Sequence, residues 1–361
     1  MPIKFNYIKA IFPGVVLALV FCLFSQGINN VLAIEIFNTP KSPISTVLIA
    51  ILLGILMGNA FTPRPGMMIG LDFTQQYILK LGIIFLGIRL SFADLIKFGS
   101  IAIPLVIFCI VGVLILIKLL IKKVPISSKM SYLIAIGTSV CGATAIVATA
   151  PVINAKKTEV AYAIANITLF GVIAMLVYPY FAEWYFDNNS IEAGLFLGTS
   201  IHETSQVAAA GLIYDQQFNN PETLDVATVT KLIRNTFLVI LIPLFAFLYN
   251  RGEIRDQKYS ILNIFPYFVL GFIGMIIVRN LGDQFFSIEN NNFYIWSKFI
   301  EYLKILATVF LTMAMAAVGI SINLSELKSM GYKPFIVGLI AAITVGIISL
   351  VYIEIVKNFL F

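Results

Sequence analysis

The sequence holds a single histidine, three cysteines, and charged side chains at only 12% of its 361 positions. A water-soluble chain of this length needs about a quarter charged residues to coat its surface, so a soluble globular fold is excluded. The lone histidine, His202, is followed by Glu203. However, Gln206 stands where an HExxH zinc helix needs its second imidazole, so that metal site is excluded. No GxxxxGK[ST] phosphate loop occurs, and ATP-driven transport is therefore not encoded in this chain. Cys22, Cys109 and Cys141 all sit inside apolar runs with no metal or disulfide spacing. The short alternating segments of a lipid-facing β-barrel are missing too. The net charge is +6, but Lys and Arg lie mostly in short loops, where they orient membrane spans and do not form a nucleic-acid surface.

What remains is apolar length. Sixty per cent of the residues are hydrophobic, and they come in runs of roughly 20, enough to cross about 30 Å of hydrocarbon as helices. Eleven such segments fall at 10–27, 43–60, 75–93, 99–121, 129–153, 158–182, 191–214, 228–250, 262–281, 300–323 and 333–357. The longest connection, around 282–298, has room for no more than a small surface helix. Lys4 and Lys9 precede the first run in the manner of a signal peptide. No small-x-small cleavage site follows near Ser25–Asn30, and the run reads as an uncleaved first span.

Two segments are interrupted at their centres by Gly, Ser and Thr, residues that favour helix ends over helix middles. They also match each other: GTSVCGATAIVATA (137–150) aligns without gaps on GTSIHETSQVAAAG (198–211), at an offset of 61. A second internal match, LGIRLSFADLIKFG (86–99) on VGISINLSELKSMG (318–331), has an offset of 232. Together they predict inverted internal repeats near 43–182 and 191–357. If both interrupted segments are re-entrant hairpins, the N-terminus, Lys122-Lys123-Lys129, Lys156-Lys157 and Arg251-Arg255-Lys258 all lie in the cytoplasm. Glu183–Asp187 and Asp215–Asp225 then face outward. This layout has nine spans and two hairpins entering from opposite faces; eleven full spans with two broken helices is the alternative.

A helix broken at mid-membrane exposes unpaired N–H groups at one end and unpaired C=O groups at the other. Both are tolerated only against protein or water. Paired broken elements from inverted halves form the binding site of many secondary transporters. The returning helices are expected to begin near Thr144 and Thr204-Ser205, with their positive ends facing an anion. Candidate substrate-binding residues are therefore Gly137, Thr138, Ser139, Gly142 and Thr144 in the first tip. In the second they are Gly198, Thr199, Ser200, Thr204, Ser205 and Gln206. His202 and Glu203 are candidates for carrying H⁺ or Na⁺, because ionisable groups at that depth are costly unless they have a role. Arg234 is the candidate positive charge, since its fork suits sulfate, sulfonate, phosphate or carboxylate. Lys231 and Arg89 read as snorkelling to the interface. Asn166 and Asn235 are weaker polar candidates. A Ser–His dyad of Ser139 or Ser200 with His202 has no recognisable nucleophile context, which speaks against an intramembrane hydrolase.

The sequence resembles the YeiH-like bacterial membrane proteins, a family named for sulfate export. The resemblance rests on GTSVCGATAIVATAPVI (137–153), GTSIHETSQVAAAG (198–211), Lys231-Leu-Ile-Arg234 and LGIRLSFADL (86–95), and it covers nearly the whole chain in segment order. It implies a distant relationship to the cation–proton antiporter and anion transporter group, and transport of small anions such as sulfate or organosulfonates. It supplies no settled list of binding residues.

The expectation is an all-α polytopic membrane protein with a single transporter domain over 1–361. It is a secondary transporter, in the exporting direction, of a small anion and not an enzyme. Its coupling ion is H⁺ or Na⁺, and no other cofactor or metal is expected. An anion channel or an ion–proton antiporter is the alternative. Its partners are the anionic substrate and the lipid bilayer, with no nucleic acid; a homodimer is allowed. Its place is the bacterial inner membrane, with the N-terminus cytoplasmic.

Overall fold

The computed structural model describes residues 5–38, 42, 44–61, 63–120, 127–249, 266–286, 293–323 and 332–360. Among these there is no β-strand. Among the described residues, eight helices are long and apolar enough to cross a membrane, and Thr46–Ala60 is a ninth, shorter apolar helix. In chain order the helices are α1 (Phe5–Val31), α2 (Thr46–Ala60), α3 (Pro65–Phe73), α4 (Leu79–Leu86), α5 (Phe92–Leu120), α6 (Ser128–Ser139), α7 (Gly142–Thr149) and α8 (Lys157–Phe186). They continue as α9 (Ser190–Ser200), α10 (Thr204–Phe218), α11 (Pro221–Thr236), α12 (Leu238–Tyr249), α13 (Phe268–Phe285), α14 (Phe293–Ser321) and α15 (Tyr332–Leu360). A π-helical turn at Thr74–Ile78 joins α3 to α4 into one span, which closes in a 3₁₀ turn at Gly87–Arg89. This span begins ten residues earlier than the apolar run suggested, because Pro65 starts the helix and Gly66 to Gly70 carry it. The connection expected over 282–298 is also shorter than thought, since α14 resumes at Phe293.

The two interrupted segments are helical hairpins. At the first, the Lys129 ammonium near the start of α6 donates to the Asn154 carbonyl beyond the end of α7, at 2.7 Å. A Cβ on Gly137 of α6 would lie 2.9 Å from the Ile146 side chain of α7. Both pairs share one antiparallel register centred between Cys141 and Gly142. The mouth is tied to the next helix by the Ser127 hydroxyl, which donates to Glu159 at 2.5 Å, and by the Lys156 N–H, which donates to the same carboxylate at 2.7 Å.

The second hairpin is fixed by the packing of α9 on α11. Gly194 meets Val226, Gly198 meets Thr230, and the Ser190 hydroxyl donates to Glu222 at 2.5 Å. All three pairs are 32 residues apart, so α9 and α11 run parallel with their starts together, and α10 must run back between them. The chain thus enters and leaves each hairpin at one level. The first mouth lies at the start of α8 and the second at its end. A 30-residue helix spans about 45 Å, so the mouths face opposite ways. α6 and α9, at 12 and 11 residues, reach only about 18 and 16 Å, roughly the bilayer midplane. The second internal match falls partly on 324–331, outside the described residues, as do Lys122, Lys123, Arg251, Arg255 and Lys258.

The chain divides into two compact units. One comprises Met1–Leu95, Gly211–Pro221 and Phe268–Ser325. In it α1 crosses α3 where Gly14 faces Gly70, and α2 crosses α14 where Gly54 faces Gly319, with backbone against backbone. Helices in lipid gain most from such close approach, since tails are as apolar as Leu. Arg89 closes the span that begins at Pro65. Its guanidinium donates to the Pro221 carbonyl at 3.0 Å and stands 3.7 Å from the Asp215 carboxylate, within this same unit. The other unit comprises Ile96–Ala210, Glu222–Tyr267 and Glu326–Phe361, and it holds both hairpin tips.

Two outcomes test this layout. In a background with the three native cysteines replaced, Lys156→Cys should react with an impermeant thiol reagent only from the cytoplasm and Asp187→Cys only from outside; reaction of both from one face would refute the opposed hairpins. Gly198→Val should lower the melting temperature by several degrees, since overpacking costs about 1–3 kcal/mol. Gly274→Ala, with nothing within 4 Å of the added methyl, should leave it level or slightly raised.

Candidate functional site

The first hairpin turns because its backbone leaves the helical region at three consecutive residues. Val140 lies at φ −129°, ψ −85°, Cys141 at φ −138°, ψ 51°, and Gly142 at φ +47°, which suits a residue without Cβ. The second turns at Ile201, in extended conformation at φ −89°, ψ 141°. Each turn strands the last carbonyls of the incoming helix in a region where water is scarce. Two negative helix ends therefore face one another at mid-membrane.

α11 supplies what both ends lack. Lys231 and Arg234 are fully buried, one turn apart on the same face. The Lys231 ammonium donates to the carbonyls of Val140 (2.9 Å), Ile201 (3.0 Å) and His202 (2.5 Å), which uses all three of its donors. Arg234 donates through Nε to Ser139 (2.7 Å), through Nη1 to Thr199 (2.5 Å) and Ile201 (3.2 Å), and through Nη2 to Thr138. The internal match gives this pattern its logic. Thr138 and Thr199 are equivalent at the offset of 61, and both bind Arg234. Val140 and Ile201 are equivalent, and both bind Lys231. The expectation that Lys231 snorkels is corrected: it sits ten residues into α11, about 15 Å from the helix start, too deep to reach the interface. Arg234 turns its donors on the carbonyl ends, so it is not an open anion clamp.

The positive ends are arranged differently. The Glu203 side chain, from the second tip, lies against Gly142 at the start of α7, and its carboxylate stands 3.5 Å from the Thr168 hydroxyl of α8. It fits because Gly142 has no side chain; a Cβ there would stand 2.4 Å from Glu203 Cγ. The Glu203 N–H donates to Gln206 Oε1 at 3.1 Å, and Gln206 Nε2 donates to the Thr168 carbonyl at 3.3 Å, packed on Gly171. Asn235 Nδ2 donates to the Thr204 hydroxyl at 2.9 Å, and the Cys141 thiol touches that hydroxyl at 3.7 Å.

Around this crossing lie polar atoms with no partner in the protein: the hydroxyls of Thr138, Ser139 and Ser200, Asn235 Oδ1, and both ring nitrogens of His202, whose residue is 1% exposed. Buried polar atoms are nearly always paired, so a cluster of exceptions marks a place that receives something else. Not every expected residue belongs to it. The Thr199 hydroxyl is bonded to Leu195 and to Ser349 of α15. Gly137 and Gly198 serve close helix packing. Ser205 is buried beside the tip, and Thr144 is exposed on α7, away from the break. The returning helices begin at Gly142 and Thr204, the first two residues earlier than expected. Asn166 packs on Gly338 of α15, apart from the tips. Thr168 was missed; nothing in an uninterrupted span marks it. No group of three His, Cys, Asp or Glu placed to hold a metal occurs among the described residues.

The architecture is that of an all-α polytopic membrane protein with two opposed hairpins whose tips meet on a buried Lys–Arg pair. Residues 13–338 match the family model described as Conserved hypothetical protein 698, and the chain belongs to that family, the YeiH-like UPF0324 membrane proteins. It is 35% identical to a UPF0324 membrane protein of Streptococcus agalactiae over 303 residues, covering 83% of this chain and 86% of that one. With relatives of the same description from Fusobacterium nucleatum and Pasteurella multocida it shares 34% identity, over 88% and 89% of this chain and 91% of each of theirs. No solved structure matches.

Removing either cation should be costly. Lys231→Met strands the carbonyls of Val140 and His202, and Arg234→Gln most of those of Thr138, Ser139 and Thr199, with Ile201 shared between the two cations; losing one partner of a buried charged cluster costs about 3–5 kcal/mol. Both variants should melt far below the wild type in detergent, with Arg234→Lys in between. Wild-type melting in all three would refute the capping role.

Proposed function

We propose that this protein is a secondary carrier of a small anion, working outward across the bacterial inner membrane with H⁺ or Na⁺ as coupling ion, and not an enzyme. The observation that carries the reading is the charge balance at the crossing of the two tips. Two buried cations, Lys231 and Arg234, stand against one carboxylate, Glu203, and unpartnered hydroxyls and an imidazole surround them. The cations offset two negative helix ends of about half a charge each, and Glu203 meets the positive start of α7. A surplus of positive potential remains at mid-membrane, where a small anion is favoured and a cation is not. The neutral donors Thr138, Ser139, Ser200 and His202 would hold the ligand, with Lys231 and Arg234 behind them as a fixed field. Opposed hairpins suit alternating access, because their tips can be exposed to either face by moving the hairpin-bearing helices as one body. Sulfate and organosulfonates are the substrate class that the family resemblance adds.

The test is transport by the full chain in proteoliposomes, with labelled sulfate, sulfite and methanesulfonate and with imposed H⁺ and Na⁺ gradients. Accumulation of one of these anions above equilibrium, driven by a gradient, is the expected result. Currents of single-channel size, or no anion movement under any gradient, would overturn the carrier.

A further inference from the structure

The feature that this function leaves unused is the seat taken by Glu203. A carboxylate from one hairpin is docked against Gly142, at the start of the returning helix of the other, a helix start that an external anion would otherwise take. The docking is built into the chain. Gly142 alone leaves the room, at φ +47° and with its missing Cβ 2.4 Å from the Glu203 side chain. Gln206 holds the Glu203 backbone in place, and Thr168 meets the carboxylate. The same two tips carry unpartnered groups that Glu203 does not satisfy: the Ser139 hydroxyl at the end of α6 and both ring nitrogens of His202, next to Glu203 in the chain, all buried.

We propose that Glu203 is a tethered occupant of the substrate's own seat, displaced by a monovalent oxyanion only when the carboxylate takes up a proton, so that the protein is an electroneutral anion–proton symporter. The inference rests on the carrier reading above, adds its coupling, and departs from its outward direction, since a symported anion follows the proton and moves inward wherever the proton gradient points inward. While Glu203 is charged, its carboxylate and the substrate compete for the start of α7, and two anions there repel. A proton bound on a Glu203 carboxyl oxygen removes that charge, and the acid leaves the seat as the anion enters. The charge of the site is then the same before and after: one internal carboxylate is exchanged for one external monoanion. A dianion would leave one negative charge uncompensated, so the site favours a sulfonate or hydrogen sulfite over sulfate.

Among the described residues, few charged or titratable groups face Glu203. Lys231 approaches from α11, the Cys141 thiol lies on the first tip, and His202 is its neighbour in the chain. From α8 comes only the neutral Thr168, and from its own helix the neutral Gln206. Lys231 has all three donors bonded to carbonyls, which leaves Glu203 as the group whose charge changes with the anion.

Proteoliposomes of the full chain decide it, with labelled methanesulfonate as the monovalent probe and sulfate as the divalent one. The wild type should take up methanesulfonate down an inward proton gradient, with one proton per anion and no response to a valinomycin-set potential. Its apparent affinity should weaken about tenfold per pH unit once Glu203 is ionised, as one-proton linkage requires. Sulfate should be carried more slowly. E203Q, which keeps the shape and loses the charge, should still carry methanesulfonate, without proton movement or pH dependence, and its flux should respond to voltage. Proton-coupled flux in E203Q, coupling that follows Na⁺, or a folded E203Q that carries nothing would each overturn the proposal while the carrier stands. Should E203Q not be recovered folded, a flat pH profile of wild-type affinity overturns it. A wild type that carries neither probe sinks the carrier reading and this inference with it.

Discussion

Everything around the crossing depends on one constraint: a backbone carbonyl stripped of its helix partner cannot be left bare in the middle of a membrane. Breaking a helix there costs several kcal/mol per stranded group. This chain breaks two helices at the same depth and turns the stranded ends toward each other. Alone, either end would be unstable, and together they would repel, each carrying about half a negative charge. Lys231 and Arg234 resolve both problems, since their donors match the stranded carbonyls and their charges offset the two dipoles. The cations need the carbonyls just as much. A buried ammonium or guanidinium without partners would be prohibitively costly.

From that mutual dependence the rest of the hairpin unit follows. α9 must lie close against α11 to deliver its carbonyls, and Gly194 and Gly198 allow it. α6 and α7 must close on each other to bring Thr138 to Val140 within reach, and Gly137 allows that. α8 separates the two mouths by its full length while touching the second tip at Thr168 and Gly171. The two serine–glutamate bonds, Ser127 to Glu159 and Ser190 to Glu222, hold each mouth to the neighbouring helix. The symmetry of the tips holds at two carbonyl pairs, Thr138 with Thr199 on Arg234 and Val140 with Ile201 on Lys231, while the Ser139 and His202 carbonyls bind without their counterparts. It is broken for the side chains, where Cys141 faces His202 and Gly142 faces Glu203 in the alignment. That breaking is where specific chemistry enters. The small residue of one tip is the receptacle for the acidic residue of the other.

Much of this was legible in the sequence, for identifiable reasons. Length and hydropathy place the eleven segments, because a membrane allows few alternatives to a helix of about 20 residues. The duplicated Gly-Thr-Ser breaks, together with loop charge, favoured hairpins over broken spans. The register of Lys129 with Asn154 and the pairing of Ser190 with Glu222 agree. Lys231 was misread because a lysine near the start of an apolar run is usually near an interface. Here Pro221 starts the helix well before the apolar run, and a polar first stretch carries Lys231 to mid-membrane. Thr144 was misplaced by two residues of helix phase, enough to turn it from the break to an exposed face.

The sequence by itself determined that the chain is a helical membrane protein, that two of its segments break alike, and that a histidine, a glutamate and an arginine lie at or near those breaks. The reason is that hydrophobic length and residues unsuited to helix interiors are local properties. The tertiary structure alone decided what the breaks face. Whether a buried arginine meets a ligand or a carbonyl, and whether a glutamate stands free or fills a helix start, depends on partners 30 to 100 residues away. No local pattern encodes those distances. Here they place Lys231 and Arg234 on the stranded carbonyls and Glu203 in the room left by Gly142.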